Sequence, residues 1–314
     1  MLLRTTAILM SLTTAALADV PHVITDIAPI QSLVARVMDG VGTPDVLLPP
    51  GASPHDFALR PSDAARLSTA DLVIWVGHGL TPWLEDPVQT LAPDALNLEL
   101  LDTSGWTQLQ VRTDPAFAEA EAEAEAEAGH EDTEAGHDHA GADPHIWLDP
   151  ANAAVFMTLT AQALSDLDPE NAPLYQANAA AAQLEMAALT TATQAILAPV
   201  AGGAYIVPHD AYQYFEQAFG MPAAGAISLT DAAAPGPARI AQLRDSLTAG
   251  DIRCILTDPQ TNPDWTAILQ DGNLAKTAFV DPDGGSQAAA LDSMAALYPA
   301  IITQIGTSLA TCLQ

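Results

Sequence analysis

Past residue 18 the chain alternates short β-branched or continuous apolar runs with stretches whose apolar residues recur at helical spacing. His22-Val23-Ile24-Thr25 reads as a strand, and Ile30, Leu33, Val34 and Val37 then share one helical face before Gly40 stops the turn. Residues 45–48 form the next strand, followed by a proline-glycine loop and a helix over 61–67 with Ser62 or Asp63 near its start. Residues 72–76 are continuously apolar up to Gly77, as a strand covered on both faces would be, and 83–91 form a helix. The same alternation restarts at Tyr205-Ile206-Val207. A helix over 211–219 is stopped by Gly220, and strands at 226–229, 254–256 and 278–280 alternate with helices at 237–247, 264–269 and 288–313. Such βαβα punctuation predicts α/β architecture with parallel sheets and covering helices.

Between the two sets lie a helix from Asn152, a candidate N-cap, to Leu167, and a run of strong helix formers over 173–197. The latter spans roughly 37 Å at 1.5 Å per residue, long enough to serve as a rigid backbone joining two lobes. The pattern fails only over 116–142, where EAEAEAEAGHEDTEAGHDHAGA lacks any large apolar residue. Nothing there offsets the entropy of ordering, so a mobile acidic loop is expected. The organisation read from this is a signal peptide at 1–18, an N-terminal α/β lobe at 19–168 carrying the loop, a linking helix at 169–200 and a C-terminal α/β lobe at 201–314.

The signal peptide rests on Arg4, the apolar stretch to Leu17 and the small-residue site Ala16-Leu17-Ala18, which place cleavage before Asp19. No later run offers 18 to 20 uninterrupted apolar residues, so no membrane insertion is expected. The only cysteines, Cys254 and Cys312, stand far from the cleavage site, which argues against lipidation. In an oxidising compartment they read most simply as one disulfide. With 39 Asp and Glu against 9 Lys and Arg, the net charge of −30 repels nucleic acid and anionic membranes and attracts cations.

Three histidines border predicted strands: His55 after a Gly-Ala-Ser-Pro loop, His145 on leaving the acidic loop, and His209 at the end of a strand. Ligands of open α/β sheets gather beyond the carboxyl ends of strands, so these three can converge on one cleft. Neutral imidazoles suit Zn²⁺, and three leave one tetrahedral position, for which Asp281 at another strand end competes with water. Isolated histidines are more often structural, and the spacing is no recognised zinc motif. His22, at the start of a core strand, reads as a packing residue and His78 as a rim residue. Asp56 and Asp210, directly after two of the histidines, are placed either to orient ligands or to cap helices.

The segments GASPHDFALRPSDAARLSTADLVIWVG, PHIWLDP, VPHDAYQYFEQAFG and FVDPDGG, in this order along the mature chain, resemble the metal-binding solute-binding proteins of bacterial ABC importers, in their zinc-uptake branch. The resemblance implies two Rossmann-like lobes joined by one long backbone helix, a periplasmic location, Zn²⁺ as the ion carried, and an importer permease with its ATPase as partners of a monomer. It maps the ligands onto His55, His145 and His209, the last favouring zinc over manganese because imidazole is softer than carboxylate. Some members of that branch carry a carboxylate immediately before the first histidine, where this chain has Pro54. The acidic loop holds only His130, His137 and His139, which the resemblance makes auxiliary zinc collectors. Two other classes stay open: a zinc hydrolase with a three-histidine, one-water site, although no HExxH motif is present, and a zinc buffer acting through the loop.

Overall fold

The computed structural model describes residues 20–117, 141–230 and 234–314. The expected cleavage site, most of the acidic loop and its three histidines lie outside the described residues. The first lobe is built from strands β1 (Val23–Thr25), β2 (Asp45–Val46), β3 (Leu72–Trp75) and β4 (Leu96–Glu99), all parallel, in the order β2-β1-β3-β4. Helices α1 (Ala28–Val37), α2 (Pro61–Leu67) and α3 (Glu85–Leu91) cover it. Helices α4 (Pro150–Leu167) and α5 (Ala172–Leu197) lead to the second lobe, whose strands are β5 (Tyr205–His209), β6 (Ala226–Ser228), β7 (Cys254–Thr257) and β8 (Lys276–Phe279). These too are parallel, in the order β6-β5-β7-β8, with α6 (Gln213–Phe219), α7 (Pro237–Ala249), α8 (Pro263–Gln270), α9 (Gly285–Ala288) and α10 (Leu297–Leu313). The strand order is the same in both lobes, so each has its crevice between its first and third strands.

Side-chain alternation along the strands explains how the lobes are joined. Val23, Leu72, Ile74, Tyr205, Val207 and Leu256 point inward to a single apolar cluster that also takes Phe156, Met157, Tyr175, Met186, Ile301, Ile305 and Leu309 from α4, α5 and α10. The opposite faces are sealed separately: Ile24, Val73 and Trp75 against Leu67, Leu84 and Val88, and Ile206, Ile227 and Ile255 against Leu243, Leu247 and Leu269. One core therefore runs from sheet to sheet, and only the outer faces belong to one lobe each. At Gly306 of α10, an added Cβ would stand 2.9 Å from Thr193 Cγ2 of α5, so the missing side chain lets these two helices pack closely. The segment Met294–Leu313 is long and apolar enough to cross a bilayer by composition, yet Leu297, Ile301, Ile305 and Leu309 sit in this core.

Several expected boundaries shift for local reasons. Asp149, not Asn152, caps α4: its carboxylate accepts from Ala151 N–H, with Pro150 in the first turn. Asn152 is buried and instead holds Thr107 by both its N–H and its carbonyl. The closing helix begins at Leu297, not 288, because Ser293 starts a new turn by accepting from Ala295 N–H. Strand β4 escaped the pattern because it is a half-exposed edge strand, Leu-Asn-Leu-Glu. Cys254 in β7 and Cys312 near the end of α10 form the disulfide, which pins the last helix to the second sheet.

Asp26, directly after β1, is fully buried and accepts from the N–H groups of Ile27 and Val76 and from the Thr81 hydroxyl. Burial raises its pKa to about 6, against the opposing pull of those donors. The folded state thus binds this proton more tightly than the unfolded chain. The stabilisation is complete below the unfolded value near 4 and is lost as pH rises through about 6. Relative to Asp26→Asn, the unsubstituted protein should gain about 2 kcal/mol between pH 7 and pH 4.5, read from paired denaturant melts. A difference that does not change with pH would show that Asp26 is ionised throughout.

Candidate metal centre between the lobes

Each of the three histidines is placed by a different kind of element. His55 lies in the loop between β2 and α2, His145 directly precedes a single 3₁₀ turn (Ile146–Leu148) ahead of α4, and His209 is the last residue of β5. They come together: one ring nitrogen from each lies within 4.8 Å of the others. The His145 ring is central, with centroids 5.5 Å from His55 and 5.6 Å from His209. A tetrahedral zinc with bonds near 2.0 to 2.1 Å needs nitrogens roughly 3.3 Å apart, a spacing within the bound that the three rings already meet.

The ring orientations follow from buried carboxylates. Asp143 Oδ1 accepts from both the backbone N–H and Nδ1 of His145, at 3.0 and 2.8 Å. This fixes the proton on Nδ1 and leaves Nε2 as the lone-pair nitrogen. Nε2 is buried and has no hydrogen-bond partner, an arrangement that costs free energy in a protein unless something else takes up that lone pair. Asp258, immediately after β7, stands 3.2 Å from Nδ1 of His209. Burial alone would raise the Asp258 pKa, but the His209 ring in close ion-pair contact, together with hydrogen bonds from Thr261, holds it below the ordinary carboxylate value. Two imidazoles thus each have a carboxylate behind them, the arrangement that raises ligand basicity.

The strip leading into and out of the acidic insertion is fastened to the second lobe beside these ligands. Val111 N–H donates to Gly141 and Asp143 N–H to Leu109. Tyr214 of α6 bridges them, accepting from Leu109 N–H and donating to the Asp143 carbonyl. Arg112 donates to Asp210 at 3.0 Å and to both oxygens of Glu216, the shorter contact being 2.7 Å. Asp210 is pushed up to about 7 by burial, with Arg112 opposing the shift and Asp143 and Glu216 adding to it.

A sequence profile described as "Zinc-uptake complex component A periplasmic" matches residues 23–312. The chain is 37% identical to the "High-affinity zinc uptake system protein ZnuA" of Paracoccus denitrificans, over 96% of each chain, and 36% identical to that of Brucella abortus, over 93% of this chain and 91% of the relative. The chain belongs to the zinc-uptake component A family. Among solved structures, a "Crystal structure of ZnuA" superposes with a TM-score of 0.74 at 19% identity, covering 94% of this chain and all of that one. The "Periplasmic zinc binding protein TroA from Treponema pallidum" superposes with a TM-score of 0.73 at 18% identity, covering 93% and 99%. These likenesses establish the two-lobed fold.

For a member of this family, the remaining expected site residues sort as follows. Asp281 lies outside the three-histidine group: one carboxylate oxygen accepts from the N–H groups of Asp283 and Gly284 and the other from Ser286. It braces its own turn through three of its lone-pair sites, one on Oδ2 being left over. Asp210 faces Arg112, and Asp56 is exposed. The carboxylates that do orient ligands, Asp143 and Asp258, were not singled out from the sequence. Both had a usable signal: Asp143 stands two residues before His145, and Asp258 ends a strand at the same sheet edge as His209. His22 pairs with Asp45 at 3.2 Å and His78 with Glu85 at 2.6 Å, each away from the triad's group. Asp143→Asn keeps the shape but removes the charge behind His145. It should weaken zinc binding about 10- to 100-fold without changing stoichiometry, measured by competition with a chromophoric chelator.

Proposed function

We propose that this protein captures Zn²⁺ in the cleft between its lobes through His55, His145 and His209 and hands it to an ABC importer, whose permease and ATPase are its partners. The observation that carries this reading is the convergence of three imidazoles, one with a buried and unpartnered Nε2, in a chain whose family is that of zinc uptake. His55 and His145 come from the 19–168 lobe and His209 from the 201–314 lobe, with 169–200 as the link, so a bound ion bridges the two. The fourth position goes to water or to Asp281, whose Oδ2 accepts only from Ser286 N–H. The mature protein begins at Asp19 after signal cleavage and acts as a periplasmic monomer. Binding and release, not catalysis, is its activity: Asp143 and Asp258 serve His145 and His209, which leaves neither placed as a general base for a bound water. His130, His137 and His139 act as auxiliary zinc collectors, with lower affinity than the triad.

Zinc and manganese titrations of metal-free mature protein test this directly. Each of His55→Ala, His145→Ala and His209→Ala should lower zinc affinity by more than the roughly 100-fold that loss of an outer partner costs, while deletion of 118–140 leaves tight binding in place. Tight binding lost with the deletion but kept in the histidine variants would overturn the assignment. A preference for manganese would overturn the choice of metal.

A further inference from the structure

His145 and His209 face carboxylates, and His55 stands in a loop. That loop runs from the end of β2 to the start of α2, and His55 itself is half-buried while Pro54 before it is buried. The strongest restraint on this segment comes from outside it. The indole Nε1–H of Trp83 donates to the carbonyl of Pro54 at 2.7 Å, and the Trp83 ring meets Phe57 edge-on with centroids 5.1 Å apart. Trp83 thus touches the chain on both sides of His55. It lies in a 3₁₀ turn (Pro82–Leu84) whose Leu84 is fully buried in the outer core of the first lobe, so it is itself firmly held.

The second lobe closes on the same loop from the opposite direction. A Cβ on Gly285 would stand 3.0 Å from the backbone nitrogen of Gly51 and 3.2 Å from Cα of Pro50. The backbone of residues 50 and 51 and the rigid Pro50 ring meet the peptide at Gly285 there. The His55 loop is therefore held between an indole of one lobe and a peptide of the other, and the Trp83 hydrogen bond is a polar tie directly beside His55.

We propose that Trp83 is a positioning residue for zinc: by fixing the Pro54 carbonyl it holds the His55 imidazole at the triad and slows release of the ion. The proposal rests on His55 being a zinc ligand. An indole that merely filled space would be replaced by phenylalanine with little change, because the ring contact with Phe57 survives while the N–H is lost.

The test is a double-mutant cycle of Trp83→Phe, His55→Ala and the pair, using Zn²⁺ in chelator competition and stopped-flow release, with thermal melts of the metal-free proteins beside them. Trp83→Phe should weaken zinc binding about fivefold, the effect of one ordinary hydrogen bond, mainly through faster release. In the His55→Ala background the same change should have no further effect. Unchanged affinity and release rate in Trp83→Phe, with His55→Ala strongly weakened, would overturn the proposal alone. So would an equal loss in both backgrounds, which would mark a general structural effect. Wild-type affinity in His55→Ala would overturn the ligand assignment itself and the proposal with it.

Discussion

Three imidazoles from two lobes can share an ion only if the separation of the lobes is set by something stiffer than the ion. Here that is the apolar cluster that passes without interruption from Val23 and Ile74 through α4, α5 and α10 to Tyr205 and Val207. Interiors of this kind are close-packed, so a change in the angle between the sheets would have to open voids beside Phe156, Met186 or Ile305. The long helix contributes by packing as well as by length, since Gly306 brings α10 against Thr193. Large hinge motion is costly in such a frame. Of the three histidines, His55 alone lies in a loop between a strand and a helix; His209 ends a strand and His145 is tied to Asp143.

The frame also decides the electrostatics. A doubly charged ion held by neutral imidazoles needs negative charge nearby to offset desolvation, and Asp143 and Asp258 supply it directly behind two ligands. Arg112 supplies the counterweight: paired with Asp210 and Glu216, it keeps two further buried carboxylates from acting as unpaired charges at the same edge. The overall charge of −30 works at longer range, favouring approach of any cation without choosing among them. On the proposed assignment, selectivity for zinc lies in the three imidazoles and affinity in the carboxylates behind two of them.

The sequence revealed most where one periodicity dominates. Every strand but β4, the restart at Tyr205 and the 26-residue helix α5 follow from alternation and helical spacing, and His55 and His209 from loops and strand ends that the pattern marks. What it concealed were residues whose role is set by neighbours distant in the chain. Asn152 looks like a cap, and only the fold brings Thr107 to it across 45 residues. Asp281 has the residue type and strand-end position of a ligand, yet the tight turn through Gly284 aims three amides at it first. Asp258 and Trp83 carry no motif. Their partners, His209 and Pro54, are 49 and 29 residues away, and a one-dimensional reading has no term for that proximity.

The three ligands are not equivalent in how tightly they are held, and a carrier has use for that inequality. His145 is tied through both its N–H and its ring to one buried aspartate, and His209 ends a central strand with a carboxylate behind it. His55 is the most exposed of the three and is reached through a proline-glycine loop. The ligand nitrogens already lie within 4.8 Å of one another, so what distinguishes the three is the element that carries each. A site with all three rings rigidly prepositioned would gain affinity but would have no route for releasing the ion stepwise. On the proposed assignment, release starts where the ligand is carried by a loop: His55 gives way first, against the hold of Trp83 on Pro54, while His145, His209 and the shared core stay in place.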